Sequence, residues 1–367
     1  MENFKIAQSD LQDVAAAVES IKEQLSGIDA CMILYFVSTS YPLDTICKKM
    51  SDTFTGIPTV GCTTAGEMIT GKIGENSIVA MAWPKTSLKY LKIELLENIQ
   101  TDVNAVSKAF QSFEKSLGKP MKNLDPEQYV GMIIIDGLRG CEERLNDQVG
   151  NLTNVPFVGG SAGDDHKYEC TWLFVDGKAY TNAAILLLME PTNGYSILKT
   201  QSFDLTDKKL IPSKVNENQR IVGEFNGKPA KLAYAEALGI SVDEVPNYYS
   251  EYPVGLVFDE QNIFVRSPHP LEGPSMKFAC AIKEELELTL LRSKNILEVT
   301  GADLKKFGHQ KAIVDFNCCY RFIELSKKNQ LKEYSELFGN VPTIGFATYG
   351  ESYIGHINQT STMLLLK

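Results

Sequence analysis

The chain has 367 residues, 44% hydrophobic and 22% charged, with a net charge of −10; this is the balance of a soluble globular protein with core enough for about two domains. An acidic surplus with no clustered Lys and Arg excludes phosphate-backbone binding and attachment to an anionic membrane surface, and no long uncharged apolar span occurs. Eight scattered cysteines read as reduced thiols, and Met1-Glu2-Asn3-Phe4-Lys5 has neither the basic leader nor the apolar core of a signal peptide, so a cytoplasmic protein is expected.

In chain order, Ser9-Asp10-Leu11-Gln12 reads as a capping box that opens a helix with Leu11, Val14, Ala15, Val18, Ile21 and Leu25 on one face and Gly27 at its end. Residues 31–37 are too short a run for a buried helix and too apolar for a half-exposed strand, which predicts a central strand. A helix over 43–54, closed by Gly56, and a strand from Thr59 complete a parallel crossover unit. Strands follow at 77–83 and 88–96, then an amphipathic helix over 103–117 stopped by Gly118-Lys119-Pro120, and a polar connector over 119–128. The second unit covers 129–165, with its helix over 141–149. Asp176-Gly177 turns a hairpin between 171–175 and 178–189. The polar stretch 204–220 marks a domain boundary. Beyond it come a strand over 221–225, an Asn226-Gly227 turn, a helix over 230–238 ended by Gly239, strands at 254–258 and 263–265, and a stiff loop Arg266-Ser267-Pro268-His269-Pro270. A third unit over 311–351 contains one helix, 320–338.

The three units share a peptide as well as a pattern. Pro58-Thr59-Val60-Gly61-Cys62-Thr63-Thr64-Ala65-Gly66-Glu67, Pro156-Phe157-Val158-Gly159-Gly160-Ser161-Ala162-Gly163-Asp164 and Pro342-Thr343-Ile344-Gly345-Phe346-Ala347-Thr348-Tyr349-Gly350-Glu351 all read Pro, any residue, Val or Ile, Gly, small residues, then Gly and an acid. The segment 182–188 also parallels 358–366, so antiparallel strands belong to the repeat. The expected fold is α/β, with α+β left open: repeated strand–helix–strand units with added antiparallel strands in mixed sheets. The expected division is an N-terminal helix over 1–29 and two domains over 30–220 and 221–367, with the glycine-bearing loops converging around a hollow.

These segments, with Cys318-x-x-Arg321, His356-x-Asn358-x-Thr360 and Asn226-Gly227-Lys228-Pro229-Ala230, make residues 30–367 resemble the FIST family of intracellular signal-transduction sensors. The resemblance implies a small-molecule input domain for amino-acid-like ligands. Its output would go to a histidine kinase, a chemoreceptor or a cyclic-dinucleotide enzyme. Some members bind haem and sense nitric oxide.

The residues themselves narrow the chemistry. Glu67, Asp164 and Glu351 stand where a phosphate loop needs Lys, so nucleotide binding is not expected. Each acid either accepts N–H groups of its own turn or, for Glu351 above all, binds a ligand ammonium. A ligand carboxylate calls for an Arg, and Arg139, Arg266 and Arg321 sit at strand ends, Arg321 foremost because it opens a helix and wants an anion nearby. Cys318 and Tyr349, in the same segments, complete the expected ligand site. No His lies at a recognisable spacing from a Cys, so an activated thiol and a structural zinc are not expected, and His356 is read as bonding a neighbouring loop. Should haem be the ligand, His269 between two prolines would be its axial donor and Arg266 a propionate partner. The competing reading is an enzyme using Glu351 or Cys318 on a small metabolite; a third is a scaffold without a ligand.

Overall fold

The computed structural model describes residues 3–259 and 262–367. The mixed α/β architecture predicted from the sequence is the one the chain adopts. Each repeat builds one six-stranded sheet. In the first, Ala30–Val37 and Thr59–Thr63 run parallel with helix Leu43–Thr53 between them, and Ile78–Pro84 and Lys5–Ser9 add antiparallel strands. The second pairs Val130–Ile135 with Phe157–Ser161 around helix Glu142–Leu152, then adds Ala183–Pro191 and Leu88–Glu97. The third pairs Ala312–Cys318 with Thr343–Thr348, then adds Thr360–Leu366 and Tyr195–Gln201.

The far edge of each sheet is supplied by another repeat. The hairpin after the first glycine–acid loop, Glu67–Ile69 with Lys72–Gly74, joins Thr343–Thr348 of the third sheet. The hairpin after the second, Leu173–Val175 with Lys178–Tyr180, joins Thr59–Thr63 of the first. The hairpin after the third, Glu351–Tyr353 with His356–Ile357, joins Phe157–Ser161 of the second. The exchange closes in a ring, each repeat extending the sheet of another.

One side of all three sheets shares a single apolar core, with Leu34, Phe36 and Val60 from the first, Met132, Ile134 and Leu187 from the second, and Val314, Phe346 and Leu364 from the third. Phe36 and Phe346 meet at its centre, ring centroids 4.5 Å apart. Helices cover the outer faces and build separate clusters there. The repeated Gly61, Gly159 and Gly345 are required by the strand pairing. A Cβ at these positions would lie 1.9, 1.7 and 2.3 Å from the carbonyl oxygens of Tyr35, Ile133 and Asp315 on the parallel neighbour, a clash with backbone that nothing relieves.

Residues 203–293 interrupt the third repeat with two small sheets and helix Ala230–Leu238 around their own core. The polar stretch 204–220 folds there as Phe203–Leu210 and Pro212–Asn216.

Several local expectations are corrected. The first helix, Val14–Gln24, starts at Asp13, whose carboxylate accepts the Ala16 N–H at 2.8 Å, and leaves Leu11 exposed. The preceding residues form the edge strand Lys5–Ser9, whose short alternating run gives a weak signal. The helix expected over 320–338 is two, Cys319–Lys327 and Leu331–Glu336, broken at Asn329 in the left-handed region (φ 54°). The strand expected over 178–189 breaks at Asn182 (φ 49°) and changes sheets there. The loop after Arg266 holds a short strand, Pro268–His269, paired with Met276–Phe278.

The three glycine–acid loops do converge, but no hollow separates them. Gly163 N–H bonds the Thr63 carbonyl at 3.0 Å, Ala65 N–H that of Ala347 at 3.1 Å, and Ser161 N–H that of Gly350 at 2.8 Å. The open space lies to one side, where the second and third loops meet the inserted sheets.

Candidate functional site

A cavity of about 440 Å³ opens at that junction. Its floor is the carboxyl ends of two central strands, with Gly137 and Leu138 just past the second repeat's strand and Cys318, Cys319 and Tyr320 at the end of the third's. This is the crevice where crossover sheets bind ligands. Tyr168 and Tyr349 come from the second and third glycine–acid loops; Arg220, His269, Lys277 and Ala279 come from the insertion, and Asn358 from the chain's final turn.

The three loop acids have separate tasks. Glu67 accepts the Thr64 hydroxyl and, at 3.1 and 2.9 Å, the N–H and hydroxyl of Ser77. Glu351 repeats the arrangement, accepting Thr348 Oγ1 at 2.6 Å and the N–H and hydroxyl of Thr360 at 3.0 and 2.8 Å. Burial pushes the Glu67 carboxyl up to about 8 and lifts Glu351 well above the carboxylate range. Both are uncharged clamps that hold a hairpin to the strand after it. Glu351 is fully buried and does not reach the cavity, so the ligand-ammonium role expected of it lacks access.

Asp164 acts differently. Its oxygens accept the N–H groups of Tyr168, Glu169 and Cys170 at 2.9, 2.6 and 2.9 Å, and the Tyr349 hydroxyl. Asp165, His166 and Tyr168 all stand at positive φ (53°, 61° and 56°), a backbone that side-chain-bearing residues rarely adopt and that these bonds hold in place. The result aims Tyr168 onto Tyr349, stacked at 4.8 Å between centroids. His269 stands edge-on to Tyr168 and Tyr320 at 5.7 and 5.9 Å.

Of the expected site residues, Cys318, Tyr349 and His269 line the cavity; Arg139, Arg266, Arg321 and Glu351 do not. Arg321 is buried, donating to Asn317 and Thr300 at 2.9 Å each and to Ser202 at 3.4 Å. The anion it faces is internal: Asp315, raised by burial to about 6 and drawn down by Ser361, Arg321 and Tyr334. Arg266 donates through Nε and Nη1 to the carbonyls of Ala281, Val265 and His356 and does not line the cavity. Arg139 pairs with Asp136 at 2.9 Å beside the cavity. Cys318 is a thiol, its pKa pushed well above the ordinary value by burial and by Cys319, so it is no ready nucleophile.

The residues missed from sequence are those of the insertion. Arg220, in the left-handed region at φ 55°, is gripped by Glu142 and Glu143 at 2.7 and 2.6 Å. Lys277 lines the cavity and carries no ion pair among the described residues. Burial, Lys277 and Arg220 together push His269 down to about 4, so the imidazole is neutral at pH 7. Among the described residues no carboxylate lines the cavity, and of its lining cations Arg220 is paired with two acids and Lys277 with none. Asn358, quoted in the C-terminal motif, is almost wholly buried; its Oδ1 accepts the Ser267 N–H at 3.3 Å, while its Nδ2 has no partner.

The FIST N domain matches residues 31–228 and the FIST C domain residues 230–353, together nearly the whole chain. A relative in Methanocaldococcus jannaschii, the uncharacterized protein MJ1623, is 21% identical over a 301-residue alignment that covers 76% of this chain. The chain spans 57% of that protein's length. Among the described residues no helix is long and apolar enough to cross a membrane.

Proposed function

The chain belongs to the FIST family of signal-transduction sensors, and from that premise we propose that its cavity is the sensing site for a small carboxylate ligand of the amino-acid type. The observation that carries this reading is the Asn358 amide, a buried donor at the cavity wall with no protein acceptor. A buried donor left unpaired is costly, and a ligand oxygen relieves the cost. Lys277 supplies the counter-charge for a carboxylate, and the Tyr168–Tyr349 stack with Tyr320 offers a flat apolar wall to the remainder of the molecule. The wall is built by the second repeat, the third repeat and the insertion together, so occupancy couples their relative positions. A ligand that prefers one arrangement shifts the population toward it, and the signal passes from this cytoplasmic chain to a separate partner such as a histidine kinase, chemoreceptor or cyclic-dinucleotide enzyme.

The test is a thermal-shift screen of the twenty amino acids and short carboxylic acids, followed by calorimetry on each hit. At least one should raise the melting temperature. Lys277→Met should then weaken it about 10–100-fold, the scale of one charge-assisted hydrogen bond. Asn358→Asp, which keeps the acceptor for Ser267 but puts a carboxylate in the donor's place, should abolish binding. Unchanged affinity in both variants would reject the assignment, and turnover of the hit would favour an enzyme instead.

A second reading, haem, is favoured by His269, a neutral imidazole on the same wall. The residue types fit that group: His269 would be the axial donor and Lys277 a propionate partner, among tyrosine rings. Haem supplies an iron that takes up nitric oxide. A Soret band on adding haemin that His269→Ala alters would establish this reading; free-haemin absorbance alone would dismiss it.

A further inference from the structure

Behind the cavity wall, three side chains from distant parts of the chain meet. Glu143 comes from the first turn of helix Glu142–Leu152, Cys280 follows strand Met276–Phe278, and His356 opens strand His356–Ile357. Their donor atoms all lie within 4.8 Å of one another. The His356 side chain is 1% exposed, and neither ring nitrogen has a hydrogen-bond partner. Its Nδ1 stands 3.3 Å from Glu143 Oε1, on the first turn of a helix rather than on a loop. A wholly buried imidazole facing a thiol and a carboxylate brings three donor types within reach of one ion.

We propose that Glu143, Cys280 and His356 bind one divalent transition-metal ion of the zinc class, joining the parts of the chain matched by the two FIST domains. A sulfur, an imidazole nitrogen and a carboxylate oxygen are the three donor types zinc takes, whereas calcium and magnesium take oxygen alone. The outer contacts are in place: Glu143 Oε2 is held by Arg220 at 2.6 Å, and its Oε1 by the Ala281 N–H at 2.7 Å. The His356 carbonyl accepts from Arg266 at 3.3 Å. Room for the ring comes from Gly350, where a Cβ would sit 2.1 Å from His356 Nε2.

The charges also close. Binding releases the Cys280 proton to solvent, leaving two carboxylates (Glu142, Glu143) and a thiolate against the Arg220 guanidinium and a dication. Ala279 and Asn358, neighbours of the proposed ligands in the chain, both line the cavity, so the ion fixes that wall and with it the Asn358 amide. The site stands independently of which molecule fills the cavity.

Cobalt(II) titration of the full chain after chelator treatment tests it. One cobalt per chain should bind with a near-ultraviolet thiolate-to-cobalt charge-transfer band, and zinc should displace it. Cys280→Ser should remove the band and His356→Ala should weaken binding at least about tenfold, while a Cys318→Ser, Cys319→Ser double variant keeps it. No band in the unaltered chain, or a band that survives Cys280→Ser, would overturn the proposal. If either of those variants fails to fold, Glu143→Gln decides: the band should persist with affinity lowered about 10–100-fold, and unchanged affinity would remove Glu143 from the site.

Discussion

Replacing Glu67 with Gln isolates the cost of keeping a carboxyl in this core. In the folded chain burial raises the group from 4.5 to about 8, so between those values the folded state holds a proton that the unfolded state has lost. Stability from this group is therefore fully present below pH 4.5 and declines as pH rises toward 8. At 1.36 kcal/mol per unit, the decline is on the order of 5 kcal/mol in all and about 3 kcal/mol by pH 7. Gln can reproduce the neutral acid: its oxygen accepts the Ser77 N–H and hydroxyl, and its amide donates to Thr64 Oγ1. The variant should match the parent in urea denaturation at pH 4.5 and exceed it by a growing margin through pH 7 and pH 8.5. Subtracting the two curves removes Glu351 and Asp315, which titrate in both proteins. A difference independent of pH, or one that favours the parent as pH rises, would mean that Glu67 is ionised in the fold.

Arg321→Met should cost about 3 kcal/mol or more, because Asp315 loses its internal cation and Asn317 and Thr300 lose their donor; urea midpoints read the loss, and affinity for a cavity ligand should stay within about twofold. Asp164→Ala should free three backbone N–H groups and let Tyr168 leave the Tyr349 ring. Its expected signature is weaker ligand binding by calorimetry and faster proteolysis within residues 165–170, with a loss of about 1–3 kcal/mol.

The sequence makes the sheets legible because their signals are strong. Runs such as Met32-Ile33-Leu34-Tyr35-Phe36-Val37 lie inside a sheet buried on both faces, and Asp176-Gly177 and Asn226-Gly227 take the positive φ that their turns demand. The exchange of hairpins was not legible. Nothing in Glu67–Ile69 says that its partner is Thr343–Thr348, since pairing between distant strands depends on the assembled core rather than on local pattern. Arg321 misled for a related reason: its charge was read against a helix end, while its partner Asp315 lies on the strand before and Thr300 on another helix. Glu351 misled because a buried carboxyl and a binding carboxylate look alike in a peptide. The missed residues Lys277 and Arg220 sit in polar segments without repeat or motif, and only the folding back of residues 203–293 brings them to the cavity; Tyr168 follows the second glycine–acid loop, where the positive φ of Asp165, His166 and Tyr168 that aims it has no signature in the peptide.

The cavity at the junction of the second and third repeats is the proposed ligand site. A crystal structure of the chain grown with the tightest hit from the carboxylate screen tests it most directly. The ligand carboxylate should lie within hydrogen-bond distance of Asn358 Nδ2 and Lys277 Nζ, with its apolar part against the tyrosines. Density for the hit elsewhere on the protein, with these two groups untouched, would contradict the account.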